Sequence, residues 1–338
     1  MDLPPPREYA LIRRPMKKAL HIILIILALF LQPSCRREHA VRWYKGNLHT
    51  HTTISDGDSS PESVIRWYKD HGYNFLAITD HDVLVATDEY KALCDENFIL
   101  IPGMEVSDSF AEIPLHVLAL GLVDKTLKPA GGSDISSTLQ NDVAAIRAAG
   151  AIPVLCHPNF YWAYGAEELA RVQDCMFFEV LNAHPEVDSG GGSGVAGTEK
   201  MWDIVLSSGK RMLGLGTDDL HVIDKYAGRS WIMLRAEELG QKAVLSALEK
   251  GDFYTSTGVV LDDIDIKRSR MKLWIRAEEG MGYATFFIGS GGRVLKSDLS
   301  LSPSYRFPRA ERYVRAKVVD AKGRVALTQP SFLQGDRE

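Results

Sequence analysis

The chain has 338 residues, 45% of them hydrophobic and 25% charged, with a formal net charge of −5. This is the composition of an ordinary globular protein with a sizeable core, and it excludes the disordered and fibrous classes. The acidic balance offers none of the basic surface that binding to a phosphate backbone requires, which argues against nucleic acid as a partner.

The first 35 residues differ from the rest. Lys17 and Lys18 precede an apolar run from Ala19 to Leu31 in which His21 is the one polar residue, followed by Gln32, Pro33, Ser34 and Cys35. That layout predicts a signal peptide over 1–35, because the run falls short of the roughly 20 apolar residues that span a bilayer. Met16, directly before the lysines, is an alternative start. Cys35 after Ser34 resembles the lipidation point of a bacterial lipoprotein signal, whereas Gln32 and Pro33 leave simple cleavage open. The expectation is export, to the periplasm or to a membrane through a lipid on Cys35. Cys94, Cys156 and Cys175 are an odd set and are expected as buried thiols, not as a disulfide framework.

From Val41 to about Gly258, short apolar runs alternate with helix-like stretches, the pattern of a parallel sheet built from strand and helix units. Strands are predicted at 42–48, 74–79, 98–103, 115–120, 151–156, 176–181, 211–216 and 230–234. After the first, Ser60 with Pro61 and Glu62 starts a helix, Val64, Ile65 and Tyr68 mark its apolar face, and Gly72 stops it. Seven or eight such units suggest a closed barrel, since no glycine-rich nucleotide fingerprint follows the first strand. Ser189 to Gly194 lacks phosphate-loop spacing and reads as a mobile loop near the site. Beyond Gly258, alternating segments at 263–276, 284–288 and 313–319 are separated by glycine-rich turns, predicting a small β-sandwich-like domain over 259–338.

Histidines and acids gather at the predicted strand ends. His49 and His51 follow the first strand, Asp80 and His81 the second, Glu105 the third, His157 the fifth, and Asp218, Asp219 and His221 the seventh. In a parallel barrel those ends share one face, where barrel enzymes place their active sites. His116, within its own strand, and Asp56, on the first loop, can reach the same cavity. Imidazoles mixed with carboxylates suit zinc, manganese or iron. His71, ending a helix, and His184, in a loop before Pro185, are read as surface residues, with His21 in the signal and His39 in the linker.

These segments resemble the PHP (polymerase and histidinol phosphatase) metallohydrolases over 47–258. His49-Thr50-His51 with Ser55-Asp56-Gly57 is similar to the first motif, Ala77-Ile78-Thr79-Asp80-His81 to the second and Gly103-Met104-Glu105 to the third. His116 and Cys156-His157-Pro158 stand at the single-histidine positions, and Gly216 to His221 resembles the last motif. The resemblance implies an α/β fold, a distorted (β/α)7-type barrel, holding two or three divalent ions. One ion would lie among His49, His51, Glu105 and Asp219, with Glu105 bridging to a second at His116 and His157. Asp56, His81 and His221 would hold a third. Asp56 departs from the histidine many members carry there. Asp218 and Asp80 are expected to orient ligands. The C-terminal region resembles a carbaryl-hydrolase-like branch of the family.

A carboxylate-bridged pair of cations lowers the pKa of bound water to ~7, so hydrolysis is the implied chemistry. Glu105, Asp219 and His221 are its candidate catalytic residues, and Arg229, before the eighth strand, is a candidate contact for a phosphorylated small molecule. Phosphoester hydrolysis is the leading expectation. Amide, carbamate or carboxylic ester hydrolysis by the same cluster is the alternative, and a non-catalytic metal- or glycan-binding surface lipoprotein is the third.

Overall fold

The computed structural model describes residues 41–267, 269–307 and 310–332, together with Met1. The export segment expected over 1–35, including Cys35, and His39 in the linker lie outside the described residues. Among the described residues, no helix is long and apolar enough to cross a membrane.

The chain begins β1 (Arg42–Asn47), α1 (Pro61–Asp70), β2 (Phe75–Ile78), β3 (Ile99–Phe110), β4 (Ile113–Leu120), α2 (Ile135–Ala148) and β5 (Ile152–Leu155). It continues α3 (Ala166–Arg171), β6 (Phe177–Asn182), β7 (Gly191–Gly192), β8 (Val195–Ala196), α4 (Thr198–Ser207), β9 (Leu213–Thr217) and α5 (Ile223–Tyr226). Then come β10 (Trp231–Ala236), α6 (Gln241–Lys250) and β11 (Phe253–Ser256). The eight expected strands form as β1 to β6, β9 and β10. The helix after β1 is built as its sequence predicts. The Ser60 hydroxyl accepts from the Ser63 amide at the N-terminus, Val64, Ile65 and Tyr68 are buried, and Gly72 leaves with φ +75°.

The sheet order is β11-β10-β1-β2-β3-β4-β5-β6-β9, and it is mixed where a parallel sheet was expected. β3 and β4 are antiparallel because only Ala111 and Glu112 separate Phe110 from Ile113, far too few residues for a crossover. Both turn residues have positive φ, 51° and 66°, as a tight hairpin of this hand requires. β10 likewise runs antiparallel to β1, so that its first residues, not its last, reach the site face.

No backbone ladder joins β9 to β10 or β11. The gap is bridged by side chains. Gln329 accepts from the Gly214 amide and donates to its carbonyl, each at 2.9 Å, and Thr255 Oγ1 donates to the same carbonyl at 2.9 Å. Glycine is required here, because a Cβ on Gly216 would stand 2.4 Å from Thr255 Cγ2 and 2.7 Å from Ser230 Oγ. The interior is filled by residues such as Leu48, Phe75, Ile101, Leu118, Leu215 and Ile232, and α2, α3 and α4 cover the outside over Leu139, Val143, Leu169 and Trp202.

The C-terminal strands are β12 (Leu261–Lys267), β13 (Arg270–Ile275), β14 (Tyr283–Gly289), β15 (Arg293–Asp298), β16 (Ser304–Arg306), β17 (Tyr313–Asp320), β18 (Val325–Thr328) and β19 (Ser331–Phe332). β12, β13 and β16 form one sheet. The order β15-β14-β17-β18 forms the other, and it continues the barrel sheet through β18 paired with β11. The two sheets share a core of Leu261, Met271, Leu273, Phe287, Val314 and Val318, which Tyr254 of β11 joins. The segment 189–194, expected as a mobile loop, enters the β7–β8 hairpin.

Candidate metal centre

The nine expected ligand residues converge on one face of the barrel, and seven of them border a single cavity of about 610 Å³, with His49 and His51 packed beneath it. His49 and His51 leave the end of β1, and Glu105 sits within β3. His116 enters from β4, where the antiparallel course places it opposite Ser107 in the middle of the strand. His157 and Asp219 hold left-handed backbone, φ 25° and 48°, which residues other than glycine adopt at a cost of ~1–3 kcal/mol each. Such strain persists only where the surroundings enforce it.

The deepest group is compact. His49 Nε2 and His51 Nε2 are 3.1 Å apart, and each lies 3.2 Å from Glu105 Oε2 and 3.2 Å from Asp219 Oδ1. Two imidazole nitrogens 3.1 Å apart, each 3.2 Å from two carboxylate oxygens, are close enough to share one ion at zinc bond lengths of ~2.0–2.2 Å. Two further donors stand on the other oxygen of Glu105, His116 Nδ1 at 3.0 Å and His157 Nε2 at 3.2 Å. Glu105 Oε2 and His116 Nδ1 are buried without a hydrogen-bond partner. Close but poorly aligned donor atoms with orphaned lone pairs are what a cation, and not a hydrogen-bond network, would satisfy. The residues present fit divalent metal.

The outer group is looser. Asp56 lies 3.4 Å from His221 Nε2, 3.5 Å from His81 Nε2 and 3.6 Å from His51 Nδ1, and its side chain is 54% exposed. Burial raises the Glu105 carboxyl, but His49 and His116 beside it outweigh that and hold it well below the ordinary carboxylate range. Burial opposes charge on His51, yet the adjacent Asp219 and Glu105 carboxylates lift its imidazole to about 9.

Supporting carboxylates divide into three. Asp80 accepts from the Thr52 and Ser55 amides and both hydroxyls, fixing the loop that carries His51 and Asp56. Asp218, expected to orient a ligand, instead accepts from Tyr68 Oη and the amides of Gly228, Arg229 and Ser230, so it ties the end of β9 to the start of β10. Glu179 was not anticipated. It is fully buried in β6, takes the Nδ1 proton of His49 at 2.6 Å and accepts from the His157 amide at 2.8 Å, from Asn182 Nδ2 at 2.8 Å and from Thr217 Oγ1 at 2.7 Å. A glutamate inside the strand Phe177-Phe178-Glu179-Val180 was the available signal, since a charge in an apolar strand needs a partner.

Two expectations need correction. Arg229 is exposed, its guanidinium stacks over Tyr226 with 5.1 Å to the ring centroid, and it does not line the cavity. The Gly228–Ser230 amides are claimed by Asp218, which turns the segment outward. His184, read as a surface residue, borders the cavity with its ring 4.8 Å from that of His221, because Asn182 Oδ1 accepts its amide and folds the loop inward. Partial burial, with His221 close by, lowers its pKa. His71 does stay outside, stacked on Trp67 at 3.8 Å.

Residues 47–129, which hold six of the nine residues, from His49 to His116, match the sequence profile of the PHP domain. The 5'-3' exoribonuclease Rnm of Escherichia coli K12 is 33% identical over 79 residues, 22% of this chain and 27% of that protein. A 3',5'-nucleoside bisphosphate phosphatase of Chromobacterium violaceum is 29% identical over 106 residues, 31% of this chain and 36% of that protein. The chain thus spans about a third or less of the length of these curated relatives. A solved two-domain protein of Bacteroides vulgatus, containing a predicted PHP-like metal-dependent phosphoesterase, is 16% identical over 88% of both chains with a TM-score of 0.49.

Proposed function

We propose that this chain, whose residues 47–129 match the PHP domain, is a metal-dependent hydrolase of phosphate esters of small molecules. The observation that supports it most is the pair of imidazole nitrogens of His49 and His51, 3.1 Å apart and each 3.2 Å from Asp219 Oδ1 and from the buried, orphaned Glu105 Oε2. His49, His51, Glu105 and Asp219 would hold one divalent ion, His116 and His157 a second through Glu105, and Asp56, His81 and His221 a third. When bound, such ions supply a water of lowered pKa and neutralise charge on phosphoryl oxygens. The names of the relatives point to phosphorus as the electrophile.

The protein's own groups do the rest. Glu179 holds His49 with its proton on Nδ1, leaving Nε2 free to bind. Asn182 Nδ2 donates to Asp219 Oδ2 at 3.0 Å and fixes that carboxylate. His184, kept neutral by burial, accepts the Glu186 amide on Nδ1, so its Nε2–H is free to donate a hydrogen bond to a substrate oxygen in the cavity.

The test is to purify the protein, measure bound metal, and assay phosphate monoesters, diesters, carbamates and carboxylic esters beside Glu105→Ala. Since losing an orienting partner of a ligand already costs ~10–100-fold, Glu105→Ala is expected to lose metal and more than ~100-fold of activity. Equal rates for the two proteins on every substrate would sink the catalytic reading. Turnover confined to carbamates or carboxylic esters would replace phosphorus by carbon as the electrophile. Export through residues 1–35 with lipid on Cys35 is part of the same proposal, and an unlabelled mature protein after feeding radioactive palmitate would reject it.

A further inference from the structure

The rim of the cavity carries residues that the hydrolysis does not use. Phe160 lies edge-on to His157, ring centroids 5.2 Å apart, and Tyr161 packs edge-on to Phe160 at 4.7 Å and 86°. Tyr161 is nevertheless 71% exposed. Tyr161 and Trp162 have φ 51° and 53°, left-handed backbone that bulky residues rarely bear. The conformation is enforced from below. Trp162 donates its amide to Asn159 O at 3.2 Å and Ala163 to Phe160 O at 3.1 Å, while Asn159 Nδ2 reaches Asp188 O at 2.6 Å and ties the segment to the neighbouring loop. The fold therefore holds strained backbone in order to present an aromatic ring at the cavity mouth.

The charges of the rim are one-sided. Glu112, at the tip of the β3–β4 hairpin with φ 66°, and Glu186 both line the cavity. No lysine or arginine lines it among the described residues. A phosphoryl group at the metal centre would be neutralised there, but a second phosphate farther out would meet two carboxylates and no cation of the chain.

We propose that Phe160, Tyr161, Glu112 and Glu186 form a specificity subsite for the non-reacting part of the substrate, which takes a neutral or cationic aromatic ring and rejects a second phosphate. The inference rests on the phosphoesterase reading for the identity of the reacting group, and on rim geometry alone for the ring. Aromatic stacking on Tyr161 supplies affinity, and repulsion from Glu112 and Glu186 supplies discrimination.

Two measurements test it. Calorimetric titration with adenosine, an uncharged ring without phosphate, is expected to show binding that Tyr161→Ala weakens about tenfold. In turnover, the kcat/KM preference for phenyl phosphate over glycerol phosphate is expected to fall about tenfold in Tyr161→Ala. Discrimination against hydroquinone bisphosphate relative to phenyl phosphate should relax severalfold in Glu112→Gln/Glu186→Gln. An unchanged aromatic preference in Tyr161→Ala, a wild type that favours the bisphosphate, or no adenosine binding by wild type overturns the subsite. If none of the esters is turned over, the phosphoesterase reading fails by itself, and the adenosine titration alone decides the subsite.

Discussion

Glu179 uses both carboxylate oxygens inside the protein, Oε1 on His49 and Thr217 and Oε2 on the His157 amide and Asn182. A glutamine of the same shape would turn an amide group toward donors on one side or the other and remove the charge that sets the His49 tautomer. Glu179→Gln is therefore expected to weaken metal binding by ~10–100-fold. Equilibrium dialysis against zinc, with circular dichroism to show the fold retained, measures this, and wild-type affinity in the variant would remove the orienting role. His49, His51 and Glu105 were legible because ligand residues sit in short motifs at strand ends. Glu179 was not, because the residues it holds at the site, His49 and His157, lie 130 and 22 residues away and nothing local marks which buried acid faces a ligand.

Single elements carry their own tests. Gly216 in β9 has Thr255, Ser230 and the Trp231 carbonyl within 3.0 Å of where a Cβ would be, so Gly216→Ala should destabilise by ~1–3 kcal/mol, read as a lower midpoint in urea. Gly282→Ala, with nothing within 4 Å, is the matched control and should shift the midpoint little. Asp142 on α2 is buried and faces Asp108 while accepting the Ala130 amide at 2.9 Å, and burial pushes its carboxyl up to about 7. A carboxyl raised in the folded state keeps its proton longer there than in the unfolded chain. Its cost is absent below the ordinary carboxylate range, grows as pH rises toward 7 and then stays constant. Asp142→Asn should accordingly raise stability by ~1–3 kcal/mol at pH 8 and by much less at pH 4. Equal gains at both pH values would contradict the assignment to this carboxyl.

At the scale of the whole molecule, the barrel sheet does not end with the barrel. β11 pairs with β18, Gln329 caps Gly214 on the open edge of β9, and Asp203 of α4 holds the buried Arg315 of β17 through two 2.8 Å hydrogen bonds. A chain ending at Gly258 would lose β18, expose the β11 edge and uncover Tyr254. Such a truncation should lack a cooperative thermal transition and aggregate, whereas the longer chain melts in one step. A soluble, cooperatively melting fragment would show that the barrel closes without these contacts.

The sequence by itself determined the alternation of strands and helices, the start and stop of α1, the β-rich C-terminal region and the nine residues that converge on one face of the barrel. These signals are local, carried by periodicity, caps and short motifs at strand ends. Tertiary structure alone decided strand direction at β4 and β10, closure at β9 by the side chains of Thr255 and Gln329, and the outward turn of Arg229. It also decided the approach of His184 and Tyr161 to the cavity. Each of these depends on which distant segment fills a neighbouring space or claims a backbone amide, and neither residue type nor spacing records that choice.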